Sequence, residues 1–389
     1  MLHRAGIVFA IAASFAGCAN GGGLAGQARF WAATGTTPVC NSAGKTPLVV
    51  RSDDGGMSWI TVASPGDADS RPPIQRLSFA DRLHGFAIAD FRLWRTGDGG
   101  DSWEDATEGL AAPGTDVIRV SDVAFTSFGR AIAVGIERIS HNDGTSSFRP
   151  LLALTLDGGG LWTRSEIPPL GASRSSDLSS ACLSPSGLGL AVGSDVCRAM
   201  GCGQRGGQGG DLALVTTDGG TTWRDVTDLA GVGVGSSAYC AGHNELWADK
   251  YYLYGFAHSM DAGETWEDES LPVTEWEFPV NQRLSFADSL HGWFTALAIA
   301  RSNEKLLATS NAGVLWAEQP LPPLSTDEIL NAVHFITVDV GVAVGGSGLC
   351  QSEPAVAFAT GDAGRIWTRG TLPERARGLS FEVVAGVED

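Results

Sequence analysis

Apolar positions in this chain come in short alternating runs, each ending at a tight turn, and the same run returns along its length. One copy reads Leu77-Ser78-Phe79-Ala80-Asp81-Arg82-Leu83-His84-Gly85-Phe86-Ala87, and another runs from Leu284 to Trp293. Looser versions span Val123 to Gly135, Cys182 to Gly193 and Val333 to Gly345. Alternation up to the turn and again beyond it predicts strand, turn, strand, the second strand rich in Ala, Val and Gly. Only the N-terminal run Ala5 to Ala13 is continuously apolar, and no later stretch approaches the ~20 residues needed to cross a bilayer.

A second pattern follows most of these strand pairs. It reads Ser52-Asp53-Asp54-Gly55-Gly56-Met57-Ser58-Trp59, then Thr96 to Trp103, Thr155 to Trp162, Thr216 to Trp223, Ser259 to Trp266, Ser310 to Trp316 and Thr360 to Trp367. The acidic positions are Asp54, Asp98, Asp157, Asp218, Asp261, Asn311 and Asp362, spaced 43 to 61 residues apart. Seven of the twelve tryptophans fall in these copies, at 59, 103, 162, 223, 266, 316 and 367 (Trp59, Trp103, Trp162, Trp223, Trp266, Trp316 and Trp367). A short Asp accepts hydrogen bonds from backbone amides two or three residues ahead and closes a turn, and glycines after it supply positive φ. The Trp then opens the outgoing strand with a large apolar surface.

Two strands before this turn and one on each side of it make four per repeat. Such a unit cannot bury its own apolar face, so the repeats stack around a ring. The expected fold is all-β: a seven-bladed β-propeller of four-stranded antiparallel blades. The first repeat lacks a good innermost strand, whereas Leu379 to Val384 echoes one. The C-terminal strand is therefore expected to complete blade one and close the ring, leaving no free sheet edge.

The turns resemble the Asp box of bacterial neuraminidase (BNR) repeats, and the longer unit resembles that of photosystem II assembly-factor-like propellers. That resemblance implies that the boxes are structural and join the two outer strands of each blade, away from any ligand. It covers the chain from residue 28 to 389 and leaves activity open, because such blades serve hydrolases, receptors and assembly factors alike.

Gly is abundant (52 residues), 43% of the chain is hydrophobic and 18% charged, which excludes a disordered or helical protein. The net charge of −18 repels phosphate backbones, so no nucleic-acid partner is expected. Residues 1–17 read as a secretory signal, with Arg4 before the apolar run. Phe15-Ala16-Gly17-Cys18 resembles the lipobox of bacterial lipoproteins, with Phe15 where Leu is usual. The resemblance implies a diacylated Cys18, residues 18–27 as a polar tether, and a place in the periplasm, at the outer membrane or on the cell surface. The alternative is plain secretion with Cys18 incidental. The remaining cysteines, 40, 182, 197, 202, 240 and 350, suggest disulfides in an oxidising compartment. Cys182 and Cys240 fall on neighbouring innermost strands, Cys197 with Cys202 would rigidify one loop, and Cys40 with Cys350 would staple the first and last blades. No CxxC pair supports a metal site, and no cofactor is expected.

Loops joining second and third strands lie opposite the Asp turns, and two are long. Ile136 to Pro150 holds Glu137, Arg138, His141, Asp143 and Arg149; Ser194 to Asp211 holds Arg198 and Arg205 among glycines. Long loops in a compact fold carry function or lack order. Arg138, His141, Asp143, Arg149, Arg198 and Arg205 are the candidate ligand-binding residues, and no catalytic set is assigned. His84 and His291 occupy equivalent turns and read as structural. The expected function is a monomeric binding or scaffold propeller for a protein or polysaccharide, touching the membrane only through its anchor. The alternative is a sialidase-type glycoside hydrolase. Those enzymes resemble this chain in the boxes but need an arginine triad, a Tyr/Glu pair and an Asp acid. The Arg-Ile-Pro motif is absent, and tyrosine occurs only at 239, 251, 252 and 254.

Overall fold

The computed structural model describes residues 28–34, 47–66, 73–111, 114–127, 129–170, 177–193, 211–230, 234–250, 255–270, 277–279, 284–298, 304–325, 328–347, 355–376 and 381–387. Cys18, the signal and tether residues, Arg198, Arg205 and the cysteines at 40, 197, 202 and 350 lie outside them.

Seven antiparallel sheets form a β-propeller, each running from an innermost strand to an outer one. Blade one takes its innermost strand from the C-terminus: Phe381–Val387 pairs with Arg29–Thr34, which pairs with Val49–Ser52 and then Ile60–Val62. Trp31 lies opposite Ala385, so the two ends of the chain are hydrogen-bonded into one sheet. The other blades follow the sequence; in blade six, Glu277–Pro279 and Ser285–Phe286 both pair with Gly292–Ala298 and share the innermost place. Among the described residues, helix is limited to single turns such as Thr227–Ala230.

The Asp turns share one hydrogen-bond ring. In blade two, Thr96 Oγ1 donates to Asp98 Oδ1 (2.8 Å) and accepts from the Gly100 amide (2.9 Å), while Asp98 accepts the Ser102 amide (2.9 Å). The Asp therefore bonds mainly four residues ahead, further than the expected two or three, because the Thr hydroxyl takes the nearer amide. The sixth turn begins at Thr309 rather than Ser310: Thr309 Oγ1 bonds Asn311 Oδ1 at 3.0 Å. The glycine after the Asp takes φ +75° at Gly99, but in blades five to seven Ala262, Ala312 and Ala363 are forced to +59°, +56° and +64°. An amide of each turn also donates to the inner turn of its own blade, as Gly99 N does to Leu83 O (2.8 Å) and Ala312 N to Leu290 O (3.0 Å).

Blades meet through aromatic stacks. Trp31 lies on Phe79 (centroids 3.6 Å apart), Trp293 on Phe335 (3.7 Å) and Phe86 on Phe125 (4.8 Å). Residue 85 must be glycine in such a blade, since a Cβ there would sit 2.4 Å from the Phe79 ring. Blade four breaks the series, packing Ile132, Leu183 and Leu190 where its neighbours have rings. There a disulfide joins Cys182 and Cys240 on the innermost strands of blades four and five, the pairing its strand positions suggested. His84 and His291 turn their Nδ1 atoms onto Asp81 and Asp288 (2.8 and 2.9 Å) in equivalent turns.

Candidate functional site

Among the described residues, blade three stands out on the face opposite the Asp turns. Its second strand, Arg130–Ser140, has 11 residues against 5 in Gly85–Ala89 of blade two. At 3.4 Å per residue the difference is about 20 Å of strand. The segment expected to be a long loop is a hairpin instead: Ile136–Ser140 pairs with Ser146–Pro150, residue by residue, and Thr115–Val117 adds a third strand. Alternating Ile136, Arg138 and Ser140 against Phe148 and Ser146 suits a pleated ladder, and the tip needs only Asn142 to Gly144 to reverse. His141 N donates to Thr145 O (2.9 Å), and Asp143 Oδ1 accepts both the Thr145 hydroxyl (2.6 Å) and amide (2.9 Å). Those two bonds, the hydroxyl foremost, hold the Asp143 carboxyl below its ordinary value. His141 Nε2 meets Ser147 Oγ at 2.9 Å.

The pleat sorts the hairpin's side chains into two sets. On one face Asp116, Arg138 and Phe148 stand in register across three strands. Arg138 Nη2 pairs with Asp116 Oδ2 at 2.7 Å, and Phe148 is 46% exposed. On the other face Glu137 is buried, 1% exposed, and receives Arg149 Nε at 2.5 Å, an Arg164 guanidinium N–H and the Thr115 hydroxyl at 3.1 Å. Burial lowers the Arg164 pKa, opposed by the Glu137 charge and assisted by Arg149. Its Nε and Nη1 are buried with no partner among the described residues. Four of the six expected ligand-binding residues, Arg138, His141, Asp143 and Arg149, thus share one projection.

Towards the channel, a polar chain runs over the innermost strands. Arg76 of blade two lies 3.4 Å from Asp122 of blade three; Asp122 Oδ2 accepts Ser180 Oγ of blade four (2.8 Å), and Ser180 Oγ accepts the Ala238 amide of blade five (3.2 Å). Arg119 forms an ion pair with Asp177, whose side chain is 1% exposed, and burial lowers the Arg119 pKa. The Arg119 guanidinium also lies 5.8 Å from the ring of Phe91. Phe91 sits in the two-residue turn between Ala89 and Arg92, with φ +60° after Asp90 at +53°. A bulky residue in the left-handed region is strained, and this one keeps its ring 47% exposed beside the hairpin's blade.

Sequence reasoning passed over Phe91, Arg119, Arg164 and Asp177. Arg164 reaches Glu137 across the sheet of blade three, and Asp177, which precedes the innermost strand of blade four, reaches Arg119 across the blade boundary, so neither pairing is local in the sequence. Phe91 carried a readable signal, a two-residue hairpin turn without the Gly or Asn that positive φ favours. Among the described residues no group of three or more His, Cys, Asp and Glu side chains is placed to hold a metal ion.

No protein-family model matches the chain, and no curated protein matches it. Solved structures do. The YCF48 bound to D1 peptide is 18% identical, with 77% of this chain and 82% of that one covered at a TM-score of 0.49. The YCF48 from Cyanidioschyzon merolae is 16% identical over 81% and 89% at 0.49. The GH74 xyloglucanase from Xanthomonas campestris is 16% identical, 80% of this chain covering 46% of that one, at 0.52. The chain spans a little under half of the xyloglucanase, and the likeness speaks for the propeller fold alone.

Proposed function

We propose that this chain is a non-catalytic recognition propeller of the bacterial cell envelope, exported with an acylated Cys18 and built from BNR-type blades. It holds a protein or polysaccharide partner against the face opposite the Asp turns. The observation that carries this reading is the blade-three hairpin. A projection of regular strands, pinned at its base by Glu137 between Arg149 and Arg164, is a rigid platform and not a slack connection. Its outward row of Asp116, Arg138 and Phe148 offers both signs of charge and an aromatic ring, which suits recognition. The outer strand of the blade, Trp162–Arg164, pairs only with Ala153–Thr155. Among the described residues, Ser146–Pro150 therefore carries no strand on its outer edge, and an extended segment fits there by main-chain pairing.

The buried carboxylates of this face favour binding over hydrolysis. Asp122, Glu137 and Asp177 are each already paired with an arginine, so none of the three stands free as a general acid or nucleophile. A glycosidase acid instead needs a raised pKa beside a second, free carboxylate. The test is a polysaccharide and peptide array probed with residues 20–389, run alongside fluorogenic sialoside and β-glucoside hydrolysis. Binding without turnover is expected; turnover abolished by Glu137→Gln would make the chain a hydrolase.

A further inference from the structure

The Asp-turn face has its own character. Among the described residues, nine of the fourteen exposed large apolar side chains lie in the Asp turns or in the inner turns beside them. Leu315 is 72% exposed, Ile366 69% and Leu161 66%; Met260, Leu156 and Leu290 lie on the same face. The three most exposed share one position in the turn. In blades one, two, four and five that position is Ser58, Ser102, Thr222 and Thr265, whose hydroxyls donate to the turn's carboxylate. Blades three, six and seven forgo that bond and present an aliphatic side chain to solvent. Isolated exposed leucines are ordinary; a recurrent set on one face of a ring marks a contact surface.

The course of the chain says what the surface meets. The Gly55 amide donates to Ala28 O at 3.0 Å, the same bond that Gly99 makes to Leu83 and Ala312 to Leu290 in other blades. Residue 28 therefore enters the propeller on the Asp-turn face. Nine residues, 19 to 27, lie between it and Cys18, and the ten residue steps from 18 to 28 reach at most about 36 Å. An acyl anchor at Cys18 would keep this face, and not the hairpin face, next to the bilayer at high effective concentration. The face carries both signs of charge, with Arg29, Arg51, Arg82 and Arg224 set against the turn carboxylates and turn backbone, which suits a zwitterionic surface.

We propose that the Asp-turn face is the membrane-facing surface of the anchored protein, its aliphatic turn tips resting in the headgroup region of the bilayer. The hairpin face then points away from the lipid, towards the partner. This inference rests on Cys18 being acylated, so the experiment reads that separately. The full chain, purified from membranes, is reconstituted into vesicles of phosphatidylethanolamine and phosphatidylcholine, and its N-terminal peptide is weighed by mass spectrometry. Hydrogen–deuterium exchange is then compared with that of the unanchored Cys18→Ala protein. With the diacylated mass present, slower exchange is expected at 314–316 and 365–367 and none at 141–149, and the slowing is lost in Leu315→Ser/Ile366→Ser. A diacylated protein protected at 141–149 instead, or on neither face, overturns the orientation and leaves the anchor standing. An unmodified Cys18 peptide removes the anchor and the orientation with it.

Discussion

Glu137→Ala is the most informative single change in the candidate site. It removes the acceptor shared by Arg149, Arg164 and the Thr115 hydroxyl. Arg149, whose side chain is 48% exposed, regains water; Arg164, 25% exposed with two N–H groups already buried and unpartnered, does not. Breaking a buried pair from one side costs about 3–5 kcal/mol, and the partial exposure of both arginines puts this case near 3. Counting the roughly 280 described residues, each contributing about 2.1 cal/mol/K to the unfolding entropy, 3 kcal/mol lowers Tm by about 5 °C. Glu137→Gln keeps the shape and one acceptor and should lose about half as much. The triple change Glu137→Leu, Arg149→Leu, Arg164→Met leaves no charge stranded and should recover most of the loss. Differential scanning calorimetry measures all three. A Glu137→Ala variant within 0.5 °C of the parent would refute the account, since a buried carboxylate between two arginines would then carry no coupling energy.

Other consequences follow from particular contacts. The Cys182–Cys240 bridge closes 58 residues across a blade boundary packed by aliphatic side chains, so removing both cysteines should cost about 4 kcal/mol in urea unfolding; a loss under 1 kcal/mol would mean that aliphatic packing alone holds blades four and five. His258, stacked on Trp247 at 3.6 Å and 3% exposed, has its pKa lowered by burial to about 4. The unfolded imidazole takes a proton near 6.5 while the folded one stays neutral. The contribution is therefore full above pH 6.5 and lost as pH falls towards 4, by at most about 3 kcal/mol, and His258→Phe should flatten that slope in urea titrations at stepped pH. Ala312→Gly relieves a φ of +56° and should raise stability by about 0.5–1 kcal/mol, whereas the same change at Ala343, inside the strand Gly341–Ser347, should destabilise.

The fold was legible because its signals are local and repeated. A Thr or Ser, an Asp or Asn two residues on, a Gly and a Trp fix each turn within eight residues, and in blades two, six and seven the Phe of the innermost strand packs over the Gly beyond its turn. Closure was legible for the same reason, since residues 379–384 repeat a pattern that the first repeat lacks. The sixth turn was misplaced by one residue because Thr309 and Ser310 both offer a hydroxyl, and only bond geometry separates them. The hairpin was read as a loop because its polar, charged segment resembles a connection until the register of Arg138 against Phe148 is seen. The Arg119–Asp177 and Arg76–Asp122 pairs were invisible to sequence reading, since each partner sits on a different blade and nothing local marks either as half of a pair.

The central claim, that the blade-three projection holds the partner, is tested most directly by removing it. Replacing residues 138–148 with an Asn-Gly turn leaves blade three with a second strand close to the length of its neighbours', so the propeller should fold with an unchanged circular dichroism spectrum. Titration calorimetry against the strongest array ligand should then show binding weakened at least tenfold, about 1.4 kcal/mol, while Leu315→Ser binds as the parent does. An intact affinity in the shortened protein would contradict the account and move the binding site elsewhere on the ring.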